Sequence, residues 1–352
     1  MSFLLRCRAR ACRARWRSLL SLLALLGTVP CLLPPGARAA NLEISVNESQ
    51  QFALQGHTFA VAKMTRDGVL YLYSTDPLTI LRKAPSAASS LISPSGLPVA
   101  APSQSVLDDL AVDSQGQLYI PVSWKDSSRA FHSGVYLLDA DGRYQRTVEF
   151  TVPAEVRRII VDNSGNLFAL GVDARYYKGL TTDTSVLHKY TPFGVQGRAF
   201  SPQAIPMGSS GERNTQAKHD IDRGLLFIGG GTLYSVLTES RVLRVFDLEG
   251  GLLKQVTFSP PGSGTDRIWH LAPLADGTYL IHWVHSEAAG STVTNTPYLS
   301  VHDGSGKALS APASAPWSRS FLVSSDPSGN CYFLHQLEGD AAELISTTVR
   351  LK

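Results

Sequence analysis

Beyond residue 40 the chain is written in short alternating runs of Val, Leu, Ile, Tyr and Phe, each closed by Gly, Pro, Ser or Asp. Helical spacing of apolar residues is almost absent. Alternation bounded by turn residues predicts strands joined by hairpins. One phrase recurs: an alternating run, a polar turn closing on Gly, then a second run ending in an aromatic residue. It reads Met64-Thr65-Arg66-Asp67-Gly68-Val69-Leu70-Tyr71, then Val112-Asp113-Ser114-Gln115-Gly116-Gln117-Leu118-Tyr119, then Val161-Asp162-Asn163-Ser164-Gly165-Asn166-Leu167-Phe168. Weaker copies close on Gly224, Gly277 and Gly329. The six glycines stand 48, 49, 59, 53 and 52 residues apart. Self-similarity at such a period is the signature of a repeat architecture.

Each period holds a second hairpin. In the second unit it is Gly134–Leu138, a turn at Asp139-Ala140-Asp141-Gly142, and Arg146–Phe150. Six units of four antiparallel strands predict an all-β fold, a six-bladed β-propeller forming one domain over residues 41–352. After Gly329 only two strand runs remain, so the last blade is one strand short. Leu42-Glu43-Ile44-Ser45-Val46 alternates ahead of the first phrase. It is expected to pair with the last blade and seal the sheet edges.

The Asp-x-x-Gly-x-Leu-Tyr turn, the second Asp-Gly turn and the blade length resemble the NHL-type six-bladed propellers, a broad secreted group in bacteria. The resemblance spans most of residues 57–352 and rests on turn-forming and core residues. It therefore implies a fold and leaves the activity open. The repeated Asp residues are assigned to turn-making, where a side-chain acceptor and a permissive backbone are needed. Asp139-Ala140-Asp141-Gly142 lacks the alternating acids and closing Glu of an EF-hand loop. Enzymes of similar architecture include calcium-dependent lactonases and a zinc-dependent lyase. Asp108, Asn214, Asp220 and Asp266 would be the oxygen ligands for the first, and His57, His219 and His270 the imidazoles for the second. Neither set falls at one register of the repeat, and no His-x-x-x-His or Cys-x-x-Cys pair supports a metal.

Composition changes the picture at the N-terminus. Arg6, Arg8, Arg10, Arg13, Arg15 and Arg17 precede an apolar run from Leu19 to Leu33, and Ala37-Arg38-Ala39 follows. That order reads as a signal peptide over residues 1–40 and predicts export to the periplasm or beyond. A membrane anchor is the alternative; the run is shorter than the ~20 residues of a span and is broken by Pro30, Pro34 and Pro35. Residues 1–40 carry seven Arg and no acid, so the net charge of +3 becomes −4 once they are removed. A mildly acidic domain carries no electrostatic footprint for nucleic acid. Three of the four cysteines lie in the leader, which leaves Cys331 alone in an apolar run, read as a buried structural thiol.

Counting back from the turn glycines reaches the start of the innermost strands, where propellers hold ligands at a channel mouth. Seven residues before each glycine stand Val61, Asp109, Arg158, His270 and Leu322, with Lys218 in the fourth unit, whose turn reads one residue shorter. Neighbouring positions add Asp108, Arg157, His219 and Trp269. Two arrangements are open: the charges pair among themselves, Asp109 with Arg158 for instance, or Arg157 and Arg158 hold an anionic ligand beside Trp269. His282 and His285 straddle Trp283 and fall on opposite faces of a strand. Loop aromatics Trp124, Tyr176 and Tyr177 mark a candidate partner surface. The long Pro- and Gly-rich segment from Ser201 to Gln216 is a candidate functional loop. The pattern favours a non-enzymatic binding propeller that takes a protein, peptide or glycan on one face. No cofactor or resident metal is expected; calcium or zinc enters only with the alternative, a lactonase-like hydrolase or lyase.

Overall fold

The computed structural model describes residues 40–98, 105–106, 109–173, 186–197, 200, 219–261, 266–289, 292–314, 320–326 and 328–352. All lie in one compact unit, Ala39–Lys352. More than half of them are in strands, and the one α-helical turn among them is 219–222.

The alternation resolves into antiparallel sheets. Strand β1 (Leu42–Ala53) leads into the first, made of β2 (Val61–Met64), β3 (Leu70–Thr75), β4 (Leu78–Lys83) and β5 (Ser90–Ile92). The second holds β6 (Ser105–Val106), β7 (Ala111–Val112), β8 (Leu118–Lys125), β9 (Phe131–Leu138) and β10 (Tyr144–Glu149), with β6 and β7 both pairing β8. The third holds β11 (Ala154–Val161), β12 (Leu167–Asp173) and β13 (Leu187–Tyr190). The fourth runs β14 (Leu225–Gly229), β15 (Thr232–Leu237), β16 (Val242–Asp247), β17 (Leu252–Thr257). The fifth runs β18 (Arg267–Pro273), β19 (Tyr279–Ala289), β20 (Thr292–His302), β21 (Ala313–Ser314). The last combines β22 (Ser320–Ser325), β23 (Asn330–Gln336) and β24 (Ala341–Leu351) with β1, which pairs β24 from Leu42↔Leu351 to Ala53↔Ala341. The strand expected at the N-terminus therefore does complete the last sheet.

The phrase folds as its chemistry requires. Asp113 Oδ1 accepts the amides of Gln115 and Gln117, both at 2.9 Å. Asp162 does the same for Ser164 and Asn166, and Asp326 for Ser328 and Asn330. Gly116 closes its turn at φ 79° and Gly329 at φ 85°, in the left-handed region that glycine enters without strain. In the first unit Thr65 Oγ1 takes the place of the Asp carboxylate.

Each sheet is apolar on both faces and shares a core with the next. Tyr73 and Ile80 of the first sheet pack with Ile120 and Leu138 of the second. Val135 and Phe150 pack with Ile159 and Leu167 of the third, and Phe168 and Leu187 with Leu233 and Phe246 of the fourth. Phe258 and Leu243 meet Ile281 and Trp283 of the fifth, whose Leu280 and Leu299 meet Leu322 and Phe333 of the last. Leu334 and Leu344 then join Leu70, Leu72 and Leu81 of the first sheet, with Phe52 of β1 between them. The leading strands also touch: β11 lies against β7 and β14, and β22 against β18 and β2. This is a β-propeller-like, all-β fold.

Candidate functional site

Two leading strands carry a β-bulge at the same place in the repeat. In β11 the register slips between Val156 and Arg158, leaving Arg157 unpaired in the ladder. In β18 it slips between Ile268 and His270, leaving Trp269. Both stand eight residues before the turn glycine. A bulge turns its extra side chain away from the regular alternation. Trp269 is accordingly 41% exposed, unusual for an indole in the innermost strand of a sheet. Arg157 reaches the carboxylates of Glu155 and Asp222, each at 2.8 Å.

Successive sheets are stitched together at this level. Asp109 is 1% exposed, accepts the Ile159 amide at 2.6 Å, and pairs with Lys63 Nζ at 3.0 Å. One carboxylate thus links β2, the start of the second sheet and β11. Arg158 donates to the carbonyls of Arg157 (2.6 Å) and Asp222 (3.0 Å), tying β11 to the helical turn before β14. Its guanidinium meets no carboxylate among the described residues. The pairing of Asp109 with Arg158 that the sequence allows does not form; Lys63 takes the carboxylate instead. Lys63 was legible in principle, since it lies two residues beyond Val61 and so on the same strand face.

His270 completes the group. Its imidazole keeps some accessible surface, yet protein surrounds it. Burial, then the adjacent His282 and the charges of Arg158 and Lys63, push its pKa down to about 3. Residues of β2, β11, β18 and β19 thus converge on one neighbourhood. His282 is the register partner of His270, lies 5.2 Å ring to ring from Trp269, and is wholly buried, which pushes its pKa down to about 4. Both rings are neutral at pH 7. A base this weak is far from the strength a general base needs at neutral pH. The cluster suits binding of a polar or anionic group better than proton transfer.

The fourth unit corrects the sequence register. Residues 219–222 form a helical turn, with the Arg223 amide on the His219 carbonyl at 3.0 Å. Gly224 has an ordinary φ, and the left-handed glycines of this unit's first hairpin are Gly230 and Gly231, between β14 and β15. Counting back seven from Gly231 lands on Gly224, and His219, given an inner-strand position by the sequence, stands in the helical turn. The phrase Asp220-Ile221-Asp222-Arg223-Gly224 imitates the repeat, but Asp220 is buried and caps a different hairpin, accepting the amides of Glu239 and Ser240 and the Ser240 hydroxyl. Asp108, Tyr176, Tyr177, Lys218, Asn214 and the 201–216 segment lie outside the described residues. Trp124 is half-buried at the end of β8 and stacks on His132 at 5.4 Å.

Two further groupings resemble active-site chemistry. Ser300 donates to His302 Nε2 at 2.8 Å, and His302 Nδ1 to the Gly306 carbonyl at 3.1 Å. Both side chains are wholly buried, against Phe258 and Trp283, so the pair is closed to substrate. Asp266 accepts Tyr298 Oη at 2.5 Å and also bonds His285, so its oxygens are occupied. His282 and His285 do face different surroundings. Among the described residues no three His, Cys, Asp or Glu side chains gather as a metal site requires. Nor is any described helix long and apolar enough to cross a membrane.

No family model matches the sequence, and no curated protein matches it. Solved structures do match the fold. A member of the DUF4221 family from Bacteroides vulgatus superposes with a TM-score of 0.53 at 9% identity, over 90% of this chain and 100% of its own. A protein of Bacteroides fragilis described as exported gives 0.51 at 10% identity, over 88% and 95%. At such identities the likeness speaks for the propeller-like fold alone.

Proposed function

We propose that this chain is an exported six-bladed propeller of NHL-like build that binds a protein, peptide or glycan on the face where its leading strands begin. It performs no chemistry of its own. The six-bladed reading is supported by apolar contacts that run from each sheet to the next and from the last back to the first. Export is supported by the order of basic, apolar and small residues over positions 1–40.

The observation that carries the binding function is the set Lys63, Asp109, Arg157, Arg158, Trp269 and His270, which the leading segments of the first, second, third and fifth sheets supply. Such a set costs stability in a fold otherwise apolar, and an exposed indole on an innermost strand is a surface for recognition. The test is a peptide and glycan array probed with the chain from residue 40 onward, wild type against Arg158→Ala/Trp269→Ala. Ligands bound by the wild type and lost in the variant support the site. Ligands retained by a folded variant, or no ligand at all, sink it. Stoichiometric calcium or zinc in the purified protein would favour the enzymatic alternative.

A further inference from the structure

The geometry points to a neutral sugar ring as the group received at this face, laid on the indole of Trp269 with its hydroxyls against the His270 imidazole. The inference rests on the binding function proposed above and narrows its ligand to a glycan.

The bulge in β18 sets up the two side chains. Neighbouring residues of a regular strand point to opposite faces. Here they share one. The Leu322 amide of β22 donates to His282 Nδ1 at 3.4 Å, so His282 faces the last sheet. Trp269 lies 5.2 Å from His282, ring to ring, and His270 lies 6.2 Å from Phe321 of β22. Residues 269 and 270 are therefore both turned to the last sheet, as one extra residue in the ladder allows. The buried His282 ring lies beneath the pair, while Trp269 stays 41% exposed and His270 keeps accessible surface. The matching bulge in β11 is used differently: its Arg157 is held by Glu155 and Asp222. Of the two bulge residues, the indole is the one left open to a ligand.

The chemistry of the two rings selects that ligand. The face of an indole is the negative side of its quadrupole and disfavours an anion lying on it. A cation meets the opposite field. Burial and the adjacent His282, then the charges of Arg158 and Lys63, push the His270 pKa down to about 3. The acids of the leading segments do not offset those charges. Asp109 is taken by Lys63 and the Ile159 amide, and Glu155 and Asp222 by Arg157. A neutral ring with polarised C–H bonds, such as the flat side of a pyranose, fits the indole best. The neutral His270 imidazole adds one donor and one acceptor nitrogen, and it makes no hydrogen bond among the described residues. Neighbouring sugar hydroxyls both donate and accept, so they satisfy the two nitrogens together. Proline is the neutral, C–H-rich ring that a protein partner would offer. It has no N–H to give and would leave the acceptor nitrogen unused.

The test is titration at pH 7 of the chain from residue 40 onward with cellobiose, N,N′-diacetylchitobiose, D-glucuronate and acetyl-triproline amide, read by calorimetry and tryptophan fluorescence. At least one disaccharide is expected to bind with millimolar affinity and to change the emission of Trp269, taken as the difference between wild type and Trp269→Phe. Trp269→Ala should weaken that binding at least about tenfold, and Trp269→Phe, which keeps an aromatic face, by less. His270→Phe keeps a ring against Phe321 but removes both nitrogens, and should also weaken binding. Phe193→Ala, an exposed aromatic on the turn after β13, is the control and should bind as the wild type does. Melting curves establish that each variant is folded; if Trp269→Ala is not, the emission change and His270→Phe decide. Absence of disaccharide binding at tens of millimolar, unchanged affinity in folded Trp269→Ala or His270→Phe, or tighter binding of glucuronate than of either disaccharide would each overturn the inference. Tighter binding of the proline peptide, lost with Trp269→Ala, would leave the proposed function standing while removing this one.

Discussion

His132 and His285 are each held between two acids. His132 meets Glu149 at 2.7 Å and Asp126 at 3.1 Å; His285 meets Glu287 at 3.1 Å and also Asp266. Hydrogen bonds to Glu149 and Asp126 raise the pKa of the first ring, and those to Asp266 and Glu287 raise that of the second. With the folded pKa above the ordinary value near ~6.5, the stabilisation is complete below that pH. It is lost as pH rises through the folded pKa. The melting temperature of the wild type is therefore expected to fall between pH 6 and 9 more steeply than that of a His132→Gln/His285→Gln variant. Equal slopes would show that the clasps do not couple to folding. The effect should shrink in high salt, because three of the four acids are substantially exposed. Cys331 behaves in the opposite way. Burial pushes its thiol up to about 12, so it should resist a thiol reagent in the native protein and react stoichiometrically only after unfolding.

At the scale of the element, the turn phrase sets the register of most sheets. Gly277 adopts φ +80° with no atom within 4 Å of where a Cβ would stand, so Gly277→Ala tests backbone strain free of any clash. It should cost about 1–2 kcal/mol in urea unfolding, the penalty of a left-handed residue with a Cβ. A cost near zero would mean the turn relaxes. Strands and turns were legible in the sequence because both depend on neighbours within a few residues. The imitation at Gly224 was not. Its Asp220 serves amides some twenty residues away, and a local pattern cannot distinguish an Asp that caps its own turn from one that caps a distant hairpin. The site shows the same division. Asp109, Arg157, Arg158, Trp269 and His270 are reached by counting from the glycines. Lys63 follows two residues beyond the counted Val61, but Asp222 and His282 are not reached, because their roles arise between sheets: a carbonyl lent to Arg158, and an amide of β22 on an imidazole of β19.

For the molecule as a whole, the decisive contact is the one between its ends. β1 pairs β24 along eleven register positions and interrupts them once, at a bulge between Val46 and Glu48. It thereby covers what would be a long free edge, and it carries Phe52, 8% exposed, into the apolar cluster joining the last sheet to the first. Among the described residues, every other apolar junction is made between sheets adjacent in sequence, so this one brings distant parts of the chain together. Phe52→Ala removes most of a buried aromatic ring and should cost about 3–5 kcal/mol. Removing residues 40–53 takes away the strand and the ring together and leaves β24 as an unpaired edge, the kind of surface that recruits other chains. The shortened protein is expected to lose its cooperative urea transition and to elute as soluble aggregate in size exclusion, while Phe52→Ala stays monomeric with a lowered midpoint. If the shortened protein instead unfolds at the wild-type midpoint as a monomer, the strand is a decoration and the sheets must be held by their neighbours alone.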